Sequence, residues 1–151
     1  MIISVIGDSS CDKDTYSLAE EVGKLIAKKG WTLVTGGLGG VMEATSKGAK
    51  EAGGITVGIL PGFSKEEANR YVGIPITTGL SHARNIIIAR SADALIAISG
   101  GYGTLSEIAI ALKLGKPVIG IKTWSNIEGI IKVNFPQEAI EKILELTRPR
   151  N

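Results

Sequence analysis

Two side chains combine a reactive type with a setting that could use it: Arg84 and Glu107. Arg84 stands near the start of an amphipathic segment, just after Thr78-Gly79. A cation there opposes the helix dipole, so it invites an anionic partner. The plain alternative is a surface arginine or an ordinary salt bridge. Glu107 falls one helical turn after Thr104, at the head of another helical segment. A carboxylate in that place can serve as a general base, or stabilise an oxocarbenium ion developing on a bound ribose. Arg84 could bind a phosphate or orient Glu107. His82 reads as a solvated loop histidine with no catalytic role, and Arg90 with Asp93 as a structural pair.

Three glycine-bearing loops could carry the anion itself. They are Gly7-Asp8-Ser9-Ser10, Gly36-Gly37-Leu38-Gly39-Gly40 with Met42 just beyond, and Ser99-Gly100-Gly101-Tyr102-Gly103-Thr104. Each lies between an apolar run and a helical segment, where backbone amides at a helix N-terminus can face a ligand. Thr104 could cap its helix while its hydroxyl donates to a phosphate oxygen. The competing reading is a Thr104–Glu107 capping box, with the glycines serving only tight turns. The spacing fits neither G-x-G-x-x-G nor a Gly-Lys-Ser/Thr P-loop, which disfavours a dinucleotide oxidoreductase and an ATPase.

The positioning elements alternate. Apolar runs at 2–6, 31–35, 55–60, 74–77, 94–98, 117–121 and 130–133 read as strands. Helical periodicity covers 15–29, 41–52, 81–92, 104–114 and 136–147, with a helical turn at 64–67. Strands that are apolar throughout and alternate with helices predict one α/β domain over residues 1–151. Its architecture is a Rossmann-like, doubly wound parallel sheet with helices on both faces. In such sheets ligands sit beyond the C-terminal strand ends, where the glycine loops fall.

These motifs resemble a known family. Gly36-Gly37-Leu38-Gly39-Gly40-Val41-Met42 looks like the first glycine motif of the LONELY GUY proteins, once mislabelled lysine decarboxylases. His82-Ala83-Arg84-Asn85 and Ala89-Arg90-Ser91-Ala92-Asp93-Ala94 resemble that family's arginine helix. Gly100-Gly101-Tyr102-Gly103-Thr104-Leu105-Ser106-Glu107 is similar to its Pro-Gly-Gly-x-Gly-Thr-x-x-Glu signature. Ser99 stands in place of the proline, Asn85 in place of a lysine, and Glu43 where a glycine is common. The resemblance implies a Rossmann-like fold, a dimer, and hydrolysis of the N-glycosidic bond of cytokinin nucleotides to base and ribose 5-phosphate. It implies Arg84 and Glu107 as the catalytic pair, with the Gly100–Thr104 loop on the 5′-phosphate. Pro61-Gly62, Ala68-Asn69 and Thr78-Gly79 with Ala83-Arg84-Asn85 look instead like a related branch that includes molybdenum cofactor carrier proteins, which bind a phosphorylated pterin.

Composition bounds the rest. The chain has 151 residues, net charge +2, 44% hydrophobic and 5% aromatic residues, and 20 glycines. One cysteine, Cys11, excludes an internal disulfide and offers no zinc spacing, so a reducing cytoplasmic compartment and no metal are expected. No leader-like or membrane-length apolar stretch is present, and balanced charge disfavours nucleic acid. The expected partner is a small phosphorylated ligand, nucleotide or pterin, with no separate cofactor. The ligand-contacting set is Gly7, Ser9, Ser10, Gly36, Gly37, Gly39, Gly40, Met42, Asn85, Gly100, Gly101, Tyr102, Gly103 and Thr104. Apolar helix faces predict a homodimer or a dimer of dimers, and Trp124 and Phe135 read as core or interface anchors. Three readings follow: a nucleoside 5′-monophosphate phosphoribohydrolase, a non-catalytic carrier such as one for the molybdenum cofactor, or a sheet protein with no anion site.

Overall fold

A computed structural model describes residues 1–148. Its strands are β1 (Ile2–Gly7), β2 (Thr32–Thr35), β3 (Thr56–Leu60), β4 (Ile74–Thr77), β5 (Ala94–Ile98), β6 (Val118–Ile121) and β7 (Ile130–Val133). They form one all-parallel sheet in the order β4-β3-β2-β1-β5-β6-β7. The helices are α1 (Lys13–Lys28), α2 (Val41–Glu51), α3 (Arg84–Ser91), α4 (Tyr102–Lys113) and α5 (Pro136–Thr147). This is the α/β Rossmann-like architecture read from the alternation.

Period-two side chains divide the sheet into two cores. Ile3 and Val5 of β1 and Ile96 and Ile98 of β5 join Val22 and Ile26 of α1, Val41 of α2 and Ile140 of α5. Ile6, Leu95 and Ala97 face the other way, against Ile88 of α3 and Ile108 of α4. Each fully buried isoleucine contributes about 1.5–3 kcal/mol. Ser4 interrupts the apolar run of β1 and is fully buried, its hydroxyl donating to the Ile88 carbonyl at 2.8 Å and fixing α3 over β1. The strand order reverses at β1, whose neighbours are β2 and β5, and the crevice of a doubly wound sheet opens at that point.

Several boundaries shift for identifiable reasons. α1 starts at Lys13, not Thr15, because Asp12 caps it by accepting from the Thr15 amide at 2.8 Å. The turn at 64–67 is a 3₁₀ turn, Lys65–Glu67, closed by a Ser64–Glu67 capping box. The helix expected over 81–92 divides into a 3₁₀ turn, Ser81–Ala83, followed by α3. The expected Arg90–Asp93 pair does not form. Asp93 instead accepts from the Ile2 amide at 2.7 Å, and Lys116 donates to the Arg90 carbonyl. Trp124 packs at the second core, whereas Phe135 is 63% exposed and anchors no core. Glu43, the departure from the family glycine, accepts from the Tyr16 hydroxyl at 3.3 Å and ties α2 to α1.

Candidate functional site

The cleft at the strand-order reversal has a volume of about 200 Å³ and is walled by the three glycine loops and the start of α3. Arg84 and Glu107 both line it, together with Thr104 and Asn85. Arg84 is 8% exposed and Glu107 is 7% exposed. Ion pairs among the described residues are Lys24–Glu21, Lys47–Glu20 and Lys142–Glu145, so more than 4.0 Å separates the charged atoms of Arg84 and Glu107. The Arg84 Nη atoms donate to the Gly36 carbonyl, at 3.4 Å, and to Asn85 Oδ1, while its buried Nε has no partner. Asn85 Nδ2 donates to Ser106 Oγ at 3.2 Å, which ties α3 to α4. The Arg84 Nε is an exception to the rule that buried donors find partners.

Burial also sets the charge states. It pushes the Glu107 carboxyl up from 4.5 to about 8, against the pull of Arg84 in the opposite direction. It pushes the Arg84 guanidinium down, and Glu107 draws it back up. The folded protein therefore holds the Glu107 proton more tightly than the unfolded chain. This contribution to stability is fully present below about pH 4.5 and is lost as pH rises through 8. Glu107→Gln, neutral throughout, is expected to melt increasingly above the unaltered protein between pH 5 and 9. A gap widening by on the order of 5 °C matches the expectation, and a constant gap contradicts it.

The loop after β5 differs from the capping-box reading. α4 begins at Tyr102 with Gly101 as its N-cap, and Thr104, 3% exposed, lies inside the first turn and makes no cap bond. No side chain caps α4, and the amide of its N-cap residue Gly101 donates across the cleft to Asp8 Oδ1 at 2.9 Å. The first bond within α4 is Leu105 N to the Gly101 carbonyl, which leaves the amides of Tyr102, Gly103 and Thr104 ahead of the ladder. Gly103 and Thr104 line the cleft. Gly100 adopts φ +105 with the Thr104 side chain folded against it. Ser99 is left-handed at φ +53, a conformation closed to the proline it replaces. The Tyr102 side chain is 84% exposed and turns towards Trp124, ring centroids 6.0 Å apart, rather than towards the cleft.

The remaining sequence candidates separate into two groups. Gly7, Ser9 and Met42 line the cleft. Gly36 backs it, its carbonyl accepting from Arg84. Gly37, Gly39, Gly40 and Ser10 do not line it. The Gly37 carbonyl accepts from the Asn69 amide at 2.9 Å. A Cβ at Gly40 would lie 2.3 Å from the Asp8 carbonyl oxygen, so this glycine lets two loops touch. Gly39 presses likewise on the Ser9 carbonyl. Asp8 is a charged cleft residue that the ligand-contacting set lacks. Its signal was a carboxylate directly after Gly7, in a loop read for its glycine. His82 and Leu38 also reach the rim. A larger groove of about 590 Å³ runs along α1 and α2. It is lined by Glu20, Glu21, Glu51, Lys24 and Lys28, and it holds none of the candidates.

Fold and cleft together define a Rossmann-like α/β protein with a buried arginine and a buried carboxyl group at the crevice of its sheet. The chain belongs to the SLOG cluster4 family, which it matches over residues 1–150. A protein of Archaeoglobus fulgidus described as uncharacterized is 54% identical over 140 residues, covering 93% of this chain and 92% of that one. A Mycobacterium tuberculosis protein named cytokinin riboside 5′-monophosphate phosphoribohydrolase is 37% identical over 127 residues, 78% of this chain and 67% of that one. Among solved structures, the molybdenum cofactor binding protein of Rippkaea orientalis superposes with a TM-score of 0.92 at 39% identity, covering 97% of each chain. The resemblance read from the glycine and arginine motifs is thereby supported.

Proposed function

We propose that this protein binds a nucleoside 5′-monophosphate in the cleft and hydrolyses its N-glycosidic bond to free base and ribose 5-phosphate. The observation that carries this reading is the pairing of Arg84 and Glu107, from separate helices, in one cleft of about 200 Å³. The phosphate meets the amides of Gly103 and Thr104, the Thr104 hydroxyl and Arg84. The C1′–N bond breaks with its electron pair leaving on the base, and positive charge spreads over C1′ and the ring oxygen. Ionised Glu107 stabilises that cation and takes a proton from the water that adds to C1′. The proton passes on to the departed base, which balances the hydrolysis.

Purine and pyrimidine monophosphates incubated singly with the protein, followed by chromatography of free base, test this reading. Release from at least one is expected. For that substrate kcat/KM climbs about tenfold per pH unit below 8 and levels above, because Glu107 works ionised and titrates at about 8. No base from any nucleotide at high protein concentration overturns it.

A second reading is favoured by the end-to-end likeness to the Rippkaea orientalis molybdenum cofactor binding protein. Here the same cleft holds a phosphorylated pterin without catalysis, and Glu107→Ala leaves binding intact. Lysine decarboxylation has no place in either reading. A homodimer through the exposed Ile86 and Tyr102 of α3 and α4 and a cytoplasmic location complete the proposal. Among the described residues no helix is long and apolar enough to cross a membrane.

A further inference from the structure

Asp8 is fixed from two sides. Its carbonyl accepts from the Val41 amide at 3.0 Å, at the head of α2, and its Oδ1 accepts from the Gly101 amide at 2.9 Å, at the head of α4. One residue thus staples the loops after β1, β2 and β5, and its carboxylate lines the cleft. A carboxylate offers about four lone-pair sites. Among the described residues only the Gly101 amide uses one.

Two acids, Asp8 and Glu107, and one arginine, Arg84, line the cleft, and below about pH 8 Glu107 keeps its proton. The amide of Gly101, which a phosphate could otherwise use, is already taken by an anion. A bare phosphate gains Arg84 and the amides of Gly103 and Thr104 but is repelled by Asp8. A ligand whose phosphate adjoins a segment rich in O–H donors satisfies both signs at once. In dinucleotide-binding sheets an acid beyond the second strand holds the ribose hydroxyls. Here β2 runs into Gly36–Gly40, and the next acid, Glu43, is engaged by Tyr16.

We infer that Asp8 is the specificity-determining residue that accepts the vicinal hydroxyls of the ribose, selecting ribonucleotides and rejecting free phosphate. This rests on the nucleotide reading above and adds the sugar to it. Two O–H donors on adjacent carbons match one carboxylate, and the cost of leaving the Asp8 charge unmet disfavours ligands that lack them.

Titration calorimetry in a Glu107→Gln background, where no turnover consumes the ligand, tests the inference. Its probes are adenosine 5′-monophosphate, 2′,3′-dideoxyadenosine 5′-monophosphate and inorganic phosphate. With Asp8 present the ribonucleotide binds at least tenfold tighter than the dideoxy compound. With Asp8→Asn, whose amide oxygen still accepts from Gly101, that preference falls to within twofold and inorganic phosphate binds several-fold tighter. Equal affinity for the two nucleotides with Asp8 intact overturns the inference and needs no Asp8 variant to fold. So does a preference that survives Asp8→Asn. Binding both nucleotides alike leaves the nucleotide reading standing, whereas binding neither overturns the inference and leaves that reading to the nucleotide panel.

Discussion

Glu107→Gln is expected to lower kcat for base release by about 10³-fold while changing the affinity for inorganic phosphate less than threefold. Glutamine keeps the size of the side chain and cannot accept the proton from water or place a full negative charge beside C1′. The proposed phosphate contacts lie elsewhere, on the first-turn amides of α4 and on Arg84 and Thr104. Arg84→Gln complements it. Arg84 holds the Glu107 pKa down against burial, so its loss moves the rising limb of the pH profile above about 8. Steady-state rates from pH 6 to 10 read both effects. A Glu107→Gln protein within tenfold of the original rate would remove Glu107 from the chemistry. A rate absent from every version would leave the carrier reading.

Gly48→Ala is expected to destabilise the fold by about 3 kcal/mol, lowering Tm by about 10 °C. Alanine is the better helix former by about 1 kcal/mol, so propensity alone predicts the opposite sign. Space decides. A Cβ at Gly48 in α2 would sit 1.9 Å from the Glu20 carbonyl oxygen of α1, and one at Gly23 in α1 would sit 1.9 Å from the Thr45 carbonyl oxygen of α2. The two helices cross with backbones in contact, each glycine against the other's carbonyl, and a methyl group must push them apart. Gly103→Ala is the comparison, because a Cβ there meets nothing within 4 Å. A shift under 2 °C is expected for it. A thermal melt in which both variants behave alike would refute the crossing as the cause.

The same pair marks the limit of what the sequence disclosed. Strand and helix order was legible because apolar runs and 3.6-residue periodicity are local signals, and β4, β5, β7 and α5 fall where periodicity placed them. Gly23 and Gly48 lie inside helical patterns with no local signal of a contact, because the carbonyl each meets is supplied by the other helix. In the site, Arg84 and Glu107 were visible by type and by family resemblance, but their convergence depended on sheet order. Glycine reports that something approaches closely, and at Gly39 and Gly40 of the motif after β2 the β1 loop does so. Thr104 read as a cap, but α4 starts earlier, at Tyr102, and its N-cap residue Gly101 is held by Asp8, 93 residues away.

The position of β1 has a consequence for how the molecule comes into being. It is the first strand of the chain, yet one of its two partners is β5, paired Ile3 to Ala94. The cleft lies on that seam, with Asp8 and Met42 contributed before it and Thr104 and Glu107 after it. A chain emerging from synthesis can therefore assemble β1 to β4 with their helices and still own no site. The cleft is complete only when the most distant pairing closes, which is the slow kind of contact in folding. On the proposed reading a ligand in the cleft clasps the early and late parts of the chain together, so its stabilisation would be felt by the whole domain rather than by one loop.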